Sequence, residues 1–375
     1  MQIFILLLVC LSSCFSIRAE EQKTIGIFTF FIGGTAPWDP DDIKKGITGS
    51  EEAVIYISQE LANLGYKVFV LGNPPENSPY SKPDSNPQYI NFKPAEDAIF
   101  DIGIAWRLPE LGKKIQNHAR KIYLWPHDIC IFNEGASEIN AFADILWLSK
   151  WQRINWIAKN PAYAKFNNIY GNAILPTQFQ EVEERKNPYS CIYGSNYARG
   201  LEILLDIWPD IKQAFPRATL DIYYGWQHWG QLTRQKELKM RAQVYLLGPL
   251  DVTDHGLVSH ETLNQAYARA SFWTYPCVLP ETFCITALRA QLSGAVPVII
   301  EGSALNETVR HGYKCANQEA YFKTLAAALQ NAEKIKLDDR KKMGEFIQQE
   351  YTWEAVAKKW KETFESNCDS EKNEV

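Results

Sequence analysis

A carboxylate stands directly before the start of a predicted helix in the second half of this chain. Residues 275–300 read YPCVLPETFCITALRAQLSGAVPVII, and Glu281 follows the proline-containing loop. A helical apolar pattern then runs from Ile285 to Gly294 and leads into an apolar strand. Free N–H groups at a helix start bind anions, and an acid beside them can accept hydrogen bonds from a neutral polar ligand. The pattern predicts a seat for a phosphate joined to a sugar, although Glu281 could also be a first-turn acid favoured by the helix dipole alone.

Other polar and aromatic residues have two interpretations each. Trp38 lies in a loop, and Trp106 and Arg107 lie at a predicted strand end. These three could form walls that stack on a sugar, or they could be packing residues. The same two interpretations hold for three residues that follow another predicted strand, which are Trp226, His228 and Trp229.

Two possible metal motifs are weak. Asp39 and Asp41 form a D-x-D triplet with Pro40, and such acid pairs hold a divalent cation between phosphates in metal-dependent transferases. The proline-rich context favours a turn or a loop facing the acceptor instead. His228, His255 and His260 show no metal-ligand spacing, so they are interpreted as surface or helix-cap residues.

Strands and helices that alternate along the chain must position these residues. The first half predicts strands at 23–31 (closed by Gly33-Gly34), 68–71, 102–106, 122–125 and 145–148, with a helix at 49–65. The second half predicts strands at 190–193, 219–223, 243–247, 272–275 and 296–300, with a helix at 200–208. Residues 72–93 are predicted to be a long surface loop. The strand–helix–strand order implies parallel sheets with right-handed crossovers.

The 375 residues suit two α/β domains in series, each with its own core. We predict domains at 20–175 and 188–350 joined by a polar linker, then a helix at 351–366 that crosses back, and a tail at 367–375. Ligands bind beyond the carboxyl ends of parallel strands, so the cleft between the domains is the predicted site.

The N-terminal segment is separate from this pattern. Residues 1–19 are mostly apolar but too short to span a membrane, and they resemble a secretory signal. A lipoprotein box ending at Cys14 and a hydrophobic tail left by a misplaced start site are the alternatives. This segment suggests a secreted, lumenal or lipid-anchored protein. The net charge of -5 gives no basic excess, so nucleic-acid binding is not expected.

Five motifs together resemble the family-4 retaining glycosyltransferases, whose GT-B fold has two Rossmann-like domains facing across a cleft. The resemblance covers residues 23–364. The matching motifs are Gly49-Ser50-Glu51 with 61–68, the WPHD of 125–128, Tyr170-Gly171-Asn172, the segment 246–248, and Tyr275-Pro276 with Glu281 and 294–298.

The resemblance implies transfer of a sugar from a nucleotide-diphosphate donor to an acceptor, with retention of configuration and without a metal or another cofactor. Glu281 would contact the sugar hydroxyls, the N–H groups of Phe283 and Cys284 would hold the diphosphate, and Arg199 would neutralise it. His127 would meet the sugar from the opposite domain. The implied site residues are Glu281 and His127 as catalytic residues, and Arg199, Phe283, Cys284, Arg289 and Gly49 as donor-binding residues.

Three positions depart from the family pattern. Arg289 stands where the family has a second glutamate that grips the ribose hydroxyls, and a guanidinium offers only donors. Arg289 could grip a phosphate or pair with a carboxylate elsewhere. Cys284 replaces a glycine and crowds the approach of the diphosphate. Ser195 stands near the expected position of a second basic residue.

These departures leave other functions open. The first alternative is a non-catalytic relative that binds a sugar nucleotide or a glycan, and the second is an enzyme of the same fold with another reaction, such as an epimerase. The implied partners are a nucleotide-diphosphate sugar and a glycan, lipid or protein acceptor, with peripheral membrane association left open. The signal-like segment conflicts with a donor that is supplied in the cytosol.

Overall fold

The computed structural model describes residues 22–29, 36–92, 98–131, 135–226 and 232–369. The predicted leader, the turn at Gly33-Gly34, His228 and Trp229, and residues 370–375 of the tail lie outside the described residues. Across the described ranges, no helix combines the length and the apolar composition that crossing a membrane requires.

The first sheet contains six parallel strands in the order β3-β2-β1-β4-β5-β6. Its strands are β1 Thr24–Phe28, β2 Lys67–Gly72, β3 Gln88–Asn91, β4 Phe100–Trp106, β5 Ala119–Trp125 and β6 Asp144–Ile145. The helices of this half are α1 Gly49–Asn63, α2 Glu110–Lys114, α3 Ala136–Asn140 and α4 Lys150–Lys159. The central strands are buried on both faces, as parallel strands covered by helices must be.

The second sheet repeats this arrangement in the order β12-β11-β10-β7-β8-β9, again with parallel neighbours. Its strands are β7 Ser190–Gly194, β8 Thr219–Tyr223, β9 Val252–Asp254, β10 Phe272–Tyr275, β11 Val296–Ile300 and β12 Tyr313–Cys315. The helices are α5 Leu201–Ala214, α6 Arg234–Leu247, α7 His260–Arg269, α8 Ile285–Leu292, α9 Leu305–Thr308, α10 Gln318–Gln330, α11 Leu337–Glu350 and α12 Trp353–Asp369.

Both sheets have the strand order of a Rossmann fold, because the chain reverses its direction of sheet growth after the third strand of each. The reversal places a crevice beside β1 and β4 in the first sheet and beside β7 and β10 in the second. The prediction of two parallel α/β domains is confirmed.

The last helix, α12, packs against the first domain, as predicted. The indole of Trp360 meets Trp125 of β5 edge-on at 4.9 Å, and the ring of Phe364 lies 4.8 Å from that of Tyr123. Trp353, Trp360 and Phe364 are all buried in the core of the first domain. Each buried aromatic contributes roughly 1.5–3 kcal/mol relative to exposure, which holds the helix across the boundary.

Two predictions of secondary structure were wrong. Residues 243–247, predicted as a strand, form the last turns of α6, and the strand comes later at Val252–Asp254. The helix-forming run before Gln243 extends through the apolar residues until Gly248 and Pro249, and Tyr245 and Leu246 are exposed. The predicted loop at 72–93 contains the edge strand β3, whose four residues are too few to reveal in the sequence its pairing with β2.

Candidate functional site

A cavity of about 280 Å³ lies between the two domains. Most of its charged residues follow the carboxyl ends of strands, where a parallel sheet places its ligands. Arg107 follows β4, His127 follows β5, Arg199 follows β7 and Glu281 follows β10. The structure therefore brings residues from four strand ends and both domains to one place.

The starts of two helices line this cavity. Helix α1 begins at Gly49, and a Cβ added to that glycine would have the Cδ1 of Ile285, the first residue of α8, as its nearest neighbour at 3.7 Å. Each helix start presents unpaired N–H groups and the positive end of a helix dipole. A Cβ at that distance would make an ordinary van der Waals contact, so the start of α1 offers its N–H groups to an anion without requiring glycine at position 49.

Phe283 and Cys284 lie just before α8, which begins at Ile285. The ring of Phe283 is buried and packs edge-on against Tyr351 at 5.7 Å, so it joins the second domain to the chain after α11. Cys284 is the residue that precedes the helix, with φ +74° and ψ +82°. This left-handed conformation favours glycine, which gives a physical reason for the glycine that the family has there. Burial raises the pKa of the Cys284 thiol well above its ordinary value, so it stays neutral.

Glu281 is held by two donors. Nη1 of Arg199 donates to its Oε1 at 2.8 Å, and the hydroxyl of Tyr275 donates to the same oxygen. Burial is the largest influence and opposes the charge of Arg199, but the Glu281 carboxylate together with Tyr275 and the nearby cysteines outweighs it, so the pKa of the guanidinium is raised. Burial and Glu281 raise the pKa of Tyr275, so its hydroxyl remains a donor. Ser195 lies beside them, with its hydroxyl 3.4 Å from that of Tyr275.

The predicted role of Arg199 at the diphosphate stays a prediction, because its observed partner is Glu281. The side chain of Arg199 is 27% exposed, so part of the guanidinium still faces the cavity.

Arg107 is fixed in a comparable way at the other side of the cavity. Its guanidinium donates to both carboxylate oxygens of Asp128, at 2.7 and 2.9 Å. Its backbone has φ +68°, and the guanidinium lies over the Trp106 ring at 5.5 Å. Trp106 is 1% exposed, and Trp38 packs against Trp106 and Tyr89. Neither indole is among the residues that line the cavity, whereas Arg107 is.

Arg289 pairs with a carboxylate, which is one of the two alternatives that the sequence left open. Its Nη2 donates to Oε1 of Glu52 at 2.9 Å, and its Nη1 donates to the amide oxygen of Asn264. Both charged side chains are buried, at 4% and 5% exposure, and they come from different domains. Every arginine of the cavity therefore has a carboxylate partner within the described residues.

His127 has an unpaired ring nitrogen in the cavity wall. The residue is 7% exposed, and its Nε2 has no hydrogen-bond partner among the described residues. The ring lies edge-on to Trp125 at 4.5 Å, and its carbonyl accepts from the hydroxyl of Thr282 at 2.7 Å. Burial, followed by the charge of Arg107, lowers the pKa of His127 well below its ordinary value. The imidazole is neutral at physiological pH, and its buried Nε2 retains the capacity for one hydrogen bond.

Further contacts join the domains around the cavity. The hydroxyl of Ser149 donates to the carbonyl of Thr282 at 2.8 Å. The carboxylate of Glu307 accepts from the backbone N–H groups of Lys150 and Trp151, at 3.0 and 2.8 Å, at the start of α4. These bonds stabilise a closed arrangement of the two domains.

Sequence reasoning missed several residues of the site. Glu52 appears in the sequence only as a first-turn acid of α1. His260 was interpreted as a surface or helix-cap residue, but it is the first residue of α7, is buried at 4% exposure and lines the cavity. In the structure, Nε2 of His260 lies 3.1 Å from the carbonyl of Ile47, and its Nδ1 lies 3.5 Å from Glu52. Burial lowers the pKa of His260, so the contact with Glu52 is not an ion pair. The two acids at 51 and 52 in an apolar helix were the available signal.

The D-x-D triplet serves local structure. The carboxylate of Asp39 accepts from the N–H of Asp41 and from the hydroxyl of Ser78, at 2.8 and 2.7 Å, and Asp41 pairs with Lys44. Within the described ranges, no three His, Cys, Asp or Glu side chains lie close enough together to bind one metal ion. Metal independence stays a prediction.

No protein-family model matches the chain, and no curated protein sequence matches it. Solved structures do match. Anabaena Alr3699/HepE in complex with UDP and glucose has a TM-score of 0.70 at 13% identity, over 92% of this chain and 100% of that one. The sucrose-phosphate synthase of Thermosynechococcus elongatus gives 0.70 at 14% identity, over 93% and 100%. AviGT4, a glycosyltransferase involved in avilamycin A biosynthesis, gives 0.57 at 14% identity, over 92% and 97%.

Similarity at these identities speaks for the fold. The names of these structures do not mention family 4, so the assignment to that family stays a prediction. The match to the first two structures covers 92% and 93% of this chain, which includes both sheets. The chain therefore has the GT-B fold of glycosyltransferases.

Proposed function

We propose that this protein is a glycosyltransferase that moves a sugar from a nucleoside-diphosphate donor to an acceptor. One observation carries the proposal. The starts of α1 and α8 line one cavity together with Glu281 and His127, whose Nε2 has no partner in the described part of the chain. Two helix starts suit a diphosphate, and the carboxylate and the imidazole suit the hydroxyl groups of a sugar.

The chemistry requires stabilisation of the leaving group. Negative charge grows on the diphosphate as the glycosidic bond breaks, and fixed N–H groups aimed at it lower the free energy of the transition state. Glu281 is positioned by Tyr275 and Arg199 through Oε1, while its Oε2 accepts no hydrogen bond from the described residues. That oxygen is available to a sugar hydroxyl.

Two finer statements belong to the proposal. Because the sequence motifs resemble those of retaining glycosyltransferases, we propose retention of the anomeric configuration, with the departing diphosphate assisting the acceptor on the same face of the sugar. The helix starts supply the positive potential, so we propose that turnover needs no metal. The similar structures that hold UDP or UDP-glucose make UDP the first nucleotide to test.

One observation favours a second candidate, a protein that binds a sugar nucleotide without transferring it. Arg107, Arg199 and Arg289 are all paired with carboxylates of the protein. A diphosphate must compete with Glu281 for the guanidinium of Arg199. This competition weakens the stabilisation of the leaving group during catalysis more than it weakens ground-state binding by the amides of the helix starts. Binding without turnover across donors and acceptors would favour this candidate.

The test combines binding with turnover. Thermal shifts with UDP, ADP and GDP identify a nucleotide, since a ligand of the folded state raises the unfolding temperature. Transfer is then measured with the matching sugar nucleotides, and NMR of the product reports the anomer. We expect an α-linked donor to give an α-linked product, and we expect EDTA to leave the rate unchanged.

Variants of Glu281 make the test specific. We expect Glu281→Gln to lower the rate about 100- to 1,000-fold while the fold persists, because the amide keeps an acceptor for Arg199 and Tyr275 but loses the charge. Glu261→Gln, at an exposed position of α7, is the matched control. Full turnover by Glu281→Gln, or no nucleotide binding by the unchanged protein, would contradict the proposal.

A further inference from the structure

The cluster around Glu52 raises a question that the proposed reaction does not answer. Glu52 and Arg289 are buried charges that bridge the domains, yet both line the cavity. Oε1 of Glu52 accepts from Arg289 at 2.9 Å and lies 3.5 Å from Nδ1 of His260. Its other oxygen, Oε2, accepts no side-chain hydrogen bond from the described residues. A cavity-lining carboxylate therefore has one oxygen fixed and the other available.

The place of Arg289 along α8 suggests what this oxygen of Glu52 binds. Arg289 lies four residues after Ile285, which is about one turn or roughly 6 Å along the helix. Glu281 precedes the helix start in the chain and lines the same cavity as Glu52 and Arg289. Along the chain, the helix start therefore comes between Glu281 and Arg289, which holds Glu52. A sugar nucleotide has the same order, in which the transferred sugar, the diphosphate and the ribose follow each other.

We propose that Glu52, supplied by the first domain, accepts the hydroxyl groups of the nucleotide's ribose, and that Arg289 is a positioning residue for it. The inference rests on the proposed function, because it requires a diphosphate at the start of α8. A ribose presents two neighbouring hydroxyl donors, and a carboxylate is the side chain that accepts from both. Arg289 has donors only, so it holds the acceptor in place.

This arrangement makes nucleotide recognition depend on domain closure. The diphosphate seat on α8 belongs to the second domain, whereas the ribose acceptor on α1 belongs to the first. Arg289 connects them, since it projects from α8 and bonds to Glu52 of α1. A nucleotide with both hydroxyls is bound by both domains, and one without them loses the contact with the first.

The experiment compares ligands with and without the hydroxyls. Calorimetry measures binding of UDP, ADP and GDP and of their 2′,3′-dideoxy forms to the unchanged protein and to Glu52→Gln. We expect the unchanged protein to bind the dideoxy form about 10- to 100-fold more weakly, the loss typical of a hydrogen bond to a charged group. In Glu52→Gln we expect this ratio to fall to within about threefold. Arg289→Lys should lower the ratio less, because lysine keeps the positive charge but lacks the planar set of N–H donors of a guanidinium.

Glu307→Gln is the control for domain closure, since Glu307 joins the domains at Lys150 and Trp151 and does not line the cavity. We expect it to weaken both ligands equally. If the unchanged protein binds none of the nucleotides, the proposed function fails. If it binds them with no preference for the ribose hydroxyls, or if Glu52→Gln keeps the full ratio, only the inference about Glu52 is overturned. If Glu52→Gln does not fold, the inference is judged from the affinity ratio of the ribose and dideoxy nucleotides in the unchanged protein and in Arg289→Lys.

Discussion

Two arginine–glutamate pairs of nearly equal geometry stand in different environments of the same cavity. Arg199 and Glu281 are 2.8 Å apart within the second domain, and their side chains are 27% and 11% exposed. Arg289 and Glu52 are 2.9 Å apart across the domains, and their side chains are 4% and 5% exposed. The distances alone would suggest equal roles, but the exposures do not.

Exposure decides which pair can exchange partners. Water and ligands reach Arg199, so a diphosphate can replace part of its contact with Glu281 at small cost. A buried ion loses several kcal/mol of hydration, and only its partner compensates for the loss. Arg289 therefore cannot release Glu52 without separating the domains. The exposed pair suits chemistry, and the buried pair suits positioning and closure.

The largest expected effect comes from breaking the buried pair. We expect Arg289→Met to lower the free energy of unfolding by about 3–5 kcal/mol, because it leaves Glu52 as an unpaired buried charge. Arg199→Met should cost only about 1 kcal/mol, since its pair is partly exposed and Tyr275 still donates to Glu281. Urea unfolding monitored by tryptophan fluorescence measures both changes.

The double variant Arg289→Met with Glu52→Leu is the control for this prediction. It replaces both charges by apolar groups and should recover most of the stability that Arg289→Met loses. Equal costs for Arg289→Met and Arg199→Met would show that burial does not separate the two pairs.

Glu51 extends the comparison to a carboxyl without a bonded guanidinium in the described part of the chain. It is 3% exposed, and the hydroxyl of Thr48 donates to it. Burial raises its pKa from 4.5 to about 7. Between these values the unfolded chain ionises first, so the folded protein binds more protons and the free energy of unfolding falls as the pH rises.

The total fall is about 3 kcal/mol, reached near pH 7 and constant above it. In Glu51→Gln this contribution is absent, so its stability relative to the unchanged protein should increase from pH 4.5 to pH 7. Urea unfolding at a series of pH values measures the difference. A difference that stays flat across this window would mean that Glu51 ionises in the folded protein as easily as in the unfolded chain.

The sequence predicted the fold because the fold depends on patterns that are local. Apolar runs such as 272–275 and 296–300 are strands in the structure, and the order of elements implied parallel sheets. The errors occurred where local pattern and pairing disagree. The strand β3 is held by β2 and has only four residues of its own, and residues 243–247 are apolar but continue a helix.

The site was predicted less completely, because it depends on contacts between distant residues. The placement of Glu281, Arg199 and His127 around one cavity follows from their positions after strands. The pairing of Arg289 with Glu52 joins residues 237 positions apart, and nothing in the local sequence of either residue indicates it. A charge that departs from a family pattern has its compensation elsewhere in the fold, and coordinates are needed to find it.

Helix α8 links the two pairs, since Glu281 precedes it and Arg289 lies on it. The smallest expected effect concerns Cys284, the residue directly before this helix. Cys284 has φ +74°, where a Cβ is strained and a glycine is not. We expect Cys284→Gly to be about 1 kcal/mol more stable than Cys284→Ala, because both remove the thiol and only the glycine relieves the strain. Thermal unfolding of the two variants measures the difference, with Cys130→Ala and Cys130→Gly as the reference for a buried cysteine. If the alanine variant is as stable as the glycine variant at position 284, the backbone at the start of α8 carries no strain from a Cβ. The crowding of the diphosphate seat would then arise from the sulfur atom and not from the backbone.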